Sequence, residues 1–260
     1  RNVAIGGCQR KGIDKLGKGA IAFYNGGGEN FYKPGVPNLV SEYGSTVAER
    51  PGRFMPGWSN IAEKLFEGGG DPWNPPTWRS GHIIWCGFDH GTVGGRRLAT
   101  MGIVDYFRLP KRQYYWYKEA YKNGYHEPIE PKWPEEGVPA MLKLEASSSE
   151  ITSTNGTDDV QLVVTVLDGS GRHISNNVPI EMSIVSGPGE FPTGTSIRFM
   201  PPSDSEESDI TIRDGMAAIA FRSYYAGKTC IKASSPGLKD AGRVSCMERR
   251  ENPSGQGQAL

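Results

Sequence analysis

Glu42 is the carboxylate whose setting suits covalent or proton-transfer chemistry. It follows the apolar pair Leu39-Val40 in the run Leu39-Val40-Ser41-Glu42-Tyr43-Gly44, so a buried strand would deliver it to the mouth of a sheet. A carboxylate held there among aromatics can act as a nucleophile or an acid/base group, because its position and its desolvation are both controlled. The same placement also suits a strand-end carboxylate satisfied by neighbouring donors, and spacing alone leaves both readings open. A second pairing concerns sulfur. Cys230 and Cys246 flank the turn segment Ser235-Pro236-Gly237-Leu238-Lys239-Asp240-Ala241-Gly242 almost symmetrically. An antiparallel pairing centred near Leu238 would set them opposite each other, as a cross-strand disulfide or as two thiols, the former needing Cα atoms within about 7 Å. Cys8 and Cys86 read as buried thiols, and the four cysteines show no metal-ligand spacing. His82 and His173 have no metal-like partners in sequence and read as structural.

Two unlike halves must position these groups. The 260 residues balance 29 Lys/Arg against 29 Asp/Glu, but residues 1–139 hold 18 basic and 14 acidic side chains and the remainder 11 and 15. All six Trp and 21 of the 26 aromatic residues also fall in the first part, which is therefore where ligand contact is expected. Neither half concentrates the basic stripe that nucleic-acid binding needs. No apolar run approaches the roughly 18 residues of a membrane span. Arg1 opens the sequence with neither an initiator Met nor a signal peptide, so compartment is not readable and the chain is expected to be the later part of something longer. Asn155-Gly156-Thr157 is a glycosylation sequon of a kind common by chance.

In the first part, Ala20-Ile21-Ala22-Phe23-Tyr24, Leu39-Val40 and Ile83-Ile84-Trp85 are continuous apolar runs that end in polar or glycine-rich loops. Such runs suit strands buried on both faces, as in a parallel sheet, and loops at the C-terminal ends of such strands carry the chemistry of α/β barrels. Asn60 to Glu67 reads as a short helix, and Lys111 to Lys122 as a helix that Pro110 opens, with Tyr114, Tyr117 and Tyr121 on one face. Three strands cannot close an eight-stranded barrel. After a Pro- and Glu-rich linker at 127–139 the period changes to two: Val160, Leu162, Val164 and Val166, then Val178, Ile180, Met182 and Ile184. Further strands are expected at Met141–Ala146, Ile210–Ile212, Ala217–Phe221, Thr229–Ala233 and Arg243–Met247, with turn residues between them. Seven short strands over about 110 residues predict an immunoglobulin-like β-sandwich at 140–249, followed by a tail at 250–260.

The segment Leu39 to Ser45 resembles the nucleophile-bearing segment of glycoside hydrolase family 2, the β-galactosidase, β-glucuronidase and β-mannosidase family. Two later segments keep that family's order. Ile84-Trp85-Cys86-Gly87-Phe88-Asp89-His90 resembles its last barrel strand and following loop, and Gly102-Ile103-Val104-Asp105-Tyr106-Phe107-Arg108-Leu109-Pro110-Lys111 with Tyr114-Tyr115 resembles its closing barrel helix. The resemblance implies the C-terminal portion of a (β/α)8 TIM barrel at 1–126, followed by the sandwich. It implies retaining exo-acting hydrolysis of a β-glycoside, most like a β-galactosidase, with Glu42 as nucleophile and a second carboxyl about 5 to 5.5 Å away as acid/base.

In the family that second group is a Glu directly after an Asn. This sequence has no Asn-Glu dipeptide, and Glu29-Asn30 is the reverse order. The acid/base Glu is therefore expected from an upstream barrel segment or subunit, and this chain alone is expected to be inactive. By the same resemblance Trp85 is a sugar platform or a core Trp. Asp89 and His90 bind sugar hydroxyls or order their loop, Arg79 is a ligand or a salt-bridge partner, and Trp58, Trp73 and Trp78 line outer subsites or pack loops. No cofactor is required by a two-carboxylate mechanism, although some relatives bind Mg²⁺ or Na⁺. The expected partner is a β-linked oligosaccharide or glycoside, and the sequence leaves the oligomeric state open. A non-catalytic module binding carbohydrate or protein is the alternative.

Overall fold

The structure is a computed structural model, and it describes residues 3–5, 20–25, 37–43, 48–55, 81–91, 99–122, 128–153, 155–203, 210–238 and 244–247. The chain divides into two compact units, Arg1–Lys132 and Trp133–Leu260, and the division falls inside the segment 127–139 expected to be a linker.

The first unit holds a four-stranded sheet of β1 (Val3–Ile5), β2 (Ala20–Asn25), β3 (Asn38–Tyr43) and β4 (Gly81–Ile84), paired in sequence order. All three pairings are parallel. The continuous apolar runs coincide with β2 to β4, although Ile83 on β4 is 49% exposed rather than buried as expected. The three-residue Val-Ala-Ile of β1 carries too short a pattern to be recognised in the sequence. A barrel portion is not evident among the described residues, which give four parallel strands and one helix, while most of the residues linking the strands lie outside the described set. The expected helix at Asn60–Glu67 lies outside it as well. The described helix, α1, runs from Arg112 to Ala120, shorter than the expected Lys111–Lys122. Lys111 is extended, with φ −86° and ψ 165°, because its N–H bonds Ile103 O at 3.0 Å and its side chain turns inward. The aromatic run splits among faces as helical spacing requires: Tyr117 is buried and stacks on Tyr121 with ring centroids 6.1 Å apart.

Among its described residues the second unit is an antiparallel sandwich of seven strands. Its strands are β5 (Met141–Ala146), β6 (Val160–Leu167), β7 (Ile180–Ser186), β8 (Ser196–Phe199), β9 (Met216–Phe221), β10 (Thr229–Ser234) and β11 (Val244–Met247). One sheet has the order β5-β6-β9 and the other β11-β10-β7-β8. The first, second and fifth strands share one sheet and the third, sixth and seventh the other, as in the immunoglobulin pattern, while the fourth strand pairs with the third instead of joining the first sheet. Alternation drives it: Val160, Leu162, Val164 and Val166 are buried on β6, as are Ile180 and Met182 on β7. Phe199, Phe221 and Ile231 complete the interior, and Phe191 meets Phe221 edge to face at 5.7 Å. Full burial of each such side chain contributes about 1.5–3 kcal/mol.

Two expectations shift here. Ile210–Ile212 is not a strand: Ile212 is buried, but the segment pairs only through an isolated bridge from Thr211 to Met200. The fourth strand is Ser196–Phe199, whose exposed-buried alternation rests on two core residues, Ile197 and Phe199. Val178 also falls outside β7, since Pro179 precedes the strand and cannot donate a ladder hydrogen bond.

Candidate active site

Parallel pairing brings the C-terminal ends of β2, β3 and β4 to one end of the sheet. Glu42 lies there as the last residue but one of β3, with Asn25 as its Cα partner on β2. The ladder is irregular on both sides of it, between Tyr24 and Asn25 toward β2 and between Val40 and Tyr43 toward β4. Irregularities of this kind recur beside active sites because they re-aim side chains and end the pairing.

β4 leads directly into Trp85, which is 39% exposed. The indole meets the His90 ring edge to face, with centroids 5.5 Å apart. His90 Nδ1 lies 2.9 Å from Gly91 O, which as a carbonyl can only accept, so Nδ1 carries the donated hydrogen. The ring's Nε2 is buried and has no partner among the described residues. The exposed indole is an apolar ring of the kind on which the C–H face of a sugar packs.

Asp89 faces the other way. Its carboxylate is buried, and Oδ1 accepts from Lys111 Nζ at 2.6 Å and from the Gly102 N–H at 2.8 Å. Of the two roles weighed for Asp89, these contacts match loop ordering. Burial holds its carboxyl above the usual value of 3.8, against the opposing pull of the Lys111 hydrogen bond and charge. Around it residues 86–91 and 99–104 zip together through Cys86 N to Met101 O, Ile103 N to Cys86 O, Asp89 N to Val104 O, and the reciprocal His90–Ala99 pair. Gly102 is required at this point. A Cβ there would collide with the backbone of Phe88, Asp89 and Val104.

Lys111, 1% exposed at its side chain, was not recognised from the sequence. Its ammonium also donates to Ala48 O at 2.7 Å and Thr100 O at 3.2 Å. Beside it Arg50 pairs with Asp105 at 3.1 Å, with side chains 4% and 16% exposed. Lys111 and Asp105 both belong to the segment that resembles the closing barrel helix, which was the available signal.

Arg79, Trp58, Trp73 and Trp78 lie outside the described residues, and Glu42 and His82 are described only as strand positions. His173 Nε2 lies 2.9 Å from Asp214 O, within the sandwich. Cys230 and Cys246 are Cα partners in the β10–β11 ladder. Among the described residues no group of three or more His, Cys, Asp and Glu side chains could hold a metal ion, and no helix is long and apolar enough to cross a membrane.

No protein-family profile and no curated protein matches the sequence. Solved structures do match. A β-glucuronidase from glycoside hydrolase family 2 aligns with a TM-score of 0.62 at 20% identity, covering 94% of this chain and 35% of that one. A β-glycosidase from Bacteroides vulgatus aligns with a TM-score of 0.62 at 12% identity, covering 95% of this chain and 47% of that one. A glycosyl hydrolase family 2 member from Bacteroides cellulosilyticus aligns with a TM-score of 0.58 at 12% identity, over 89% and 42% of the two chains. This chain thus spans less than half the length of each. Over nearly all of its own length, it has the fold of the matching part of these structures, two of which are of glycoside hydrolase family 2.

Proposed function

We propose that this chain is the C-terminal portion of a retaining exo-acting β-glycosidase of glycoside hydrolase family 2, contributing the last strands of a (β/α)8 barrel and an immunoglobulin-like domain. The observation that carries the reading is the position of Glu42. It lies at the C-terminal end of a parallel strand, at a break in the ladder, next to the strand that ends in the Trp85–His90 pair.

In this reading the Glu42 carboxylate attacks the anomeric carbon of a terminal β-linked sugar as the bond to the leaving oxygen breaks. A second carboxyl, supplied by the rest of the barrel, gives that oxygen its proton and then removes one from the water that releases the sugar. Trp85 stacks on the sugar through its exposed ring. The mechanism calls for no metal. β-Galactoside remains the substrate favoured by the motif resemblance, and β-glucuronide and β-mannoside are its competitors within the family.

The test uses the protein carrying this chain with a complete barrel, treated with a mechanism-based fluorosugar inactivator and then peptide-mapped. Label on Glu42, with loss of turnover in Glu42→Gln, is the expected result. Full activity in Glu42→Gln removes the reading. A panel of aryl β-glycosides then assigns the sugar.

A further inference from the structure

The loops that follow β3 and β4 are joined by one buried cation. Lys111 Nζ reaches Ala48 O, six positions beyond Glu42, and Asp89 Oδ1, next to His90. Its third acceptor, Thr100 O, takes the Ala48 N–H as well at 3.0 Å. The Asp89 carboxylate turns the same charge onto the Gly102 N–H and so fixes the arm that pairs with His90. A lysine on a surface helix would leave its ammonium in water. This one is withdrawn to 1% exposure and has three oxygen acceptors, the full donor capacity of an ammonium.

We propose that Lys111 is a positioning residue for glycoside cleavage: its ammonium locks the loop after β3 to the loop after β4, so that Glu42 and the Trp85–His90 face are held in one arrangement. The inference rests on the glycosidase reading above. It adds a residue that touches no sugar and acts only through the two loops it joins. A reacting carboxylate displaced by about 1 Å loses on the order of 100-fold in rate, so a lock of this kind shows in the chemical step.

The experiment compares wild type, Lys111→Met and Lys111→Met with Asp89→Asn in the protein carrying a complete barrel. The double variant keeps the stem of residue 111 and an acceptor for Gly102 while leaving no buried charge unpaired. The readouts are the rate of covalent labelling of Glu42 by the fluorosugar inactivator per folded molecule, and kcat and KM separately. The expected result is a folded double variant that labels about 100-fold more slowly, with kcat falling more than KM rises. Labelling at the wild-type rate in a folded variant overturns the proposal. Should neither variant fold, hydrogen exchange on the wild type decides. Ala48, Ala99 and Gly102 amides opening together support the lock, and Ala48 opening independently of the other two overturns it. Wild type that is never labelled on Glu42 removes the glycosidase reading itself, an outcome distinct from normal labelling of the variants.

Discussion

Replacing Lys111 by Met removes the cation from a buried ion pair. The Asp89 carboxylate, with a side chain 6% exposed, would keep its Gly102 donor and lose its cation. Ala48 O would lose a charged donor at 2.7 Å, while Thr100 O would retain the Ala48 N–H. Breaking a buried ion pair by deleting one partner costs about 3–5 kcal/mol, most of it from the charge left behind. Adding Asp89→Asn to Lys111→Met is therefore expected to recover a large part of that loss, since a neutral amide still accepts from Gly102. The pH dependence has a defined sign. Burial already holds the Asp89 carboxyl above 3.8, and without the lysine it rises further. A carboxyl with a raised folded pKa contributes stability that is complete below the unfolded value and disappears as pH rises through the folded value. The Lys111→Met deficit is thus largest near neutrality and shrinks as pH falls toward 3.8. Urea unfolding followed by Trp emission reads the first unit, which holds five of the six Trp. A deficit below about 1 kcal/mol, or one that Asp89→Asn leaves unchanged, would refute the assignment of a buried, uncompensated carboxylate.

Gly102→Ala is expected to cost about 3 kcal/mol or more, because the new methyl meets only backbone atoms that cannot rotate away; a melting curve within a degree or two of wild type would contradict the close approach. In the sandwich, Phe221→Ala should lose about 3–5 kcal/mol in denaturant unfolding, since the ring is fully buried and packs on Phe191. Asp168 caps its own turn through Ser170 and Arg172, and the Ser170 hydroxyl foremost pulls its carboxyl down to about 2. The stability it adds is present above its ordinary value of 3.8 and is lost as pH falls toward about 2, so the melting-temperature gap between wild type and Asp168→Ala should narrow over that interval. Cys230 and Cys246, as Cα partners, are expected to join under a disulfide oxidant with loss of the mass of two hydrogens, and non-reducing peptide maps without a 230–246 link would exclude this.

The sandwich was legible because β5, β6, β7 and β10 each bury alternate residues, and period-two alternation is what a one-sided surface writes into sequence. The misassigned segments mark the limit of that signal. Ser196–Phe199 contributes only two core residues, and Ile212 fills the core from a segment with little pairing of its own. In the first unit, continuous apolar runs revealed β2 to β4 but carried no information on register, and the ladder irregularities flanking Glu42 follow from pairing rather than from residue type. Asp89 shows the same limit at a single residue. Its loop context allowed sugar binding and loop ordering equally, and the choice depends on Lys111, 22 positions later, whose type ordinarily indicates the surface.

That dependence separates what faces a ligand from what fixes the face. Trp85 presents an exposed ring that meets His90 edge to face, yet few of the backbone bonds around them belong to regular elements. The two arms, 86–91 and 99–104, stay together because Gly102 admits their close approach and because Asp89 and Lys111 occupy the interior where a hydrophobic pair would otherwise sit. An apolar pair of similar volume would support packing as well or better, but it would not draw Ala48 O and Thr100 O toward one point. Directional acceptors around a single ammonium relate the loop after β3 to the loop after β4 in a way that dispersion contacts cannot. In the glycosidase proposed above, substitutions at Trp85 are therefore expected to act first on sugar affinity, and substitutions at Lys111 or Gly102 on the geometry of cleavage.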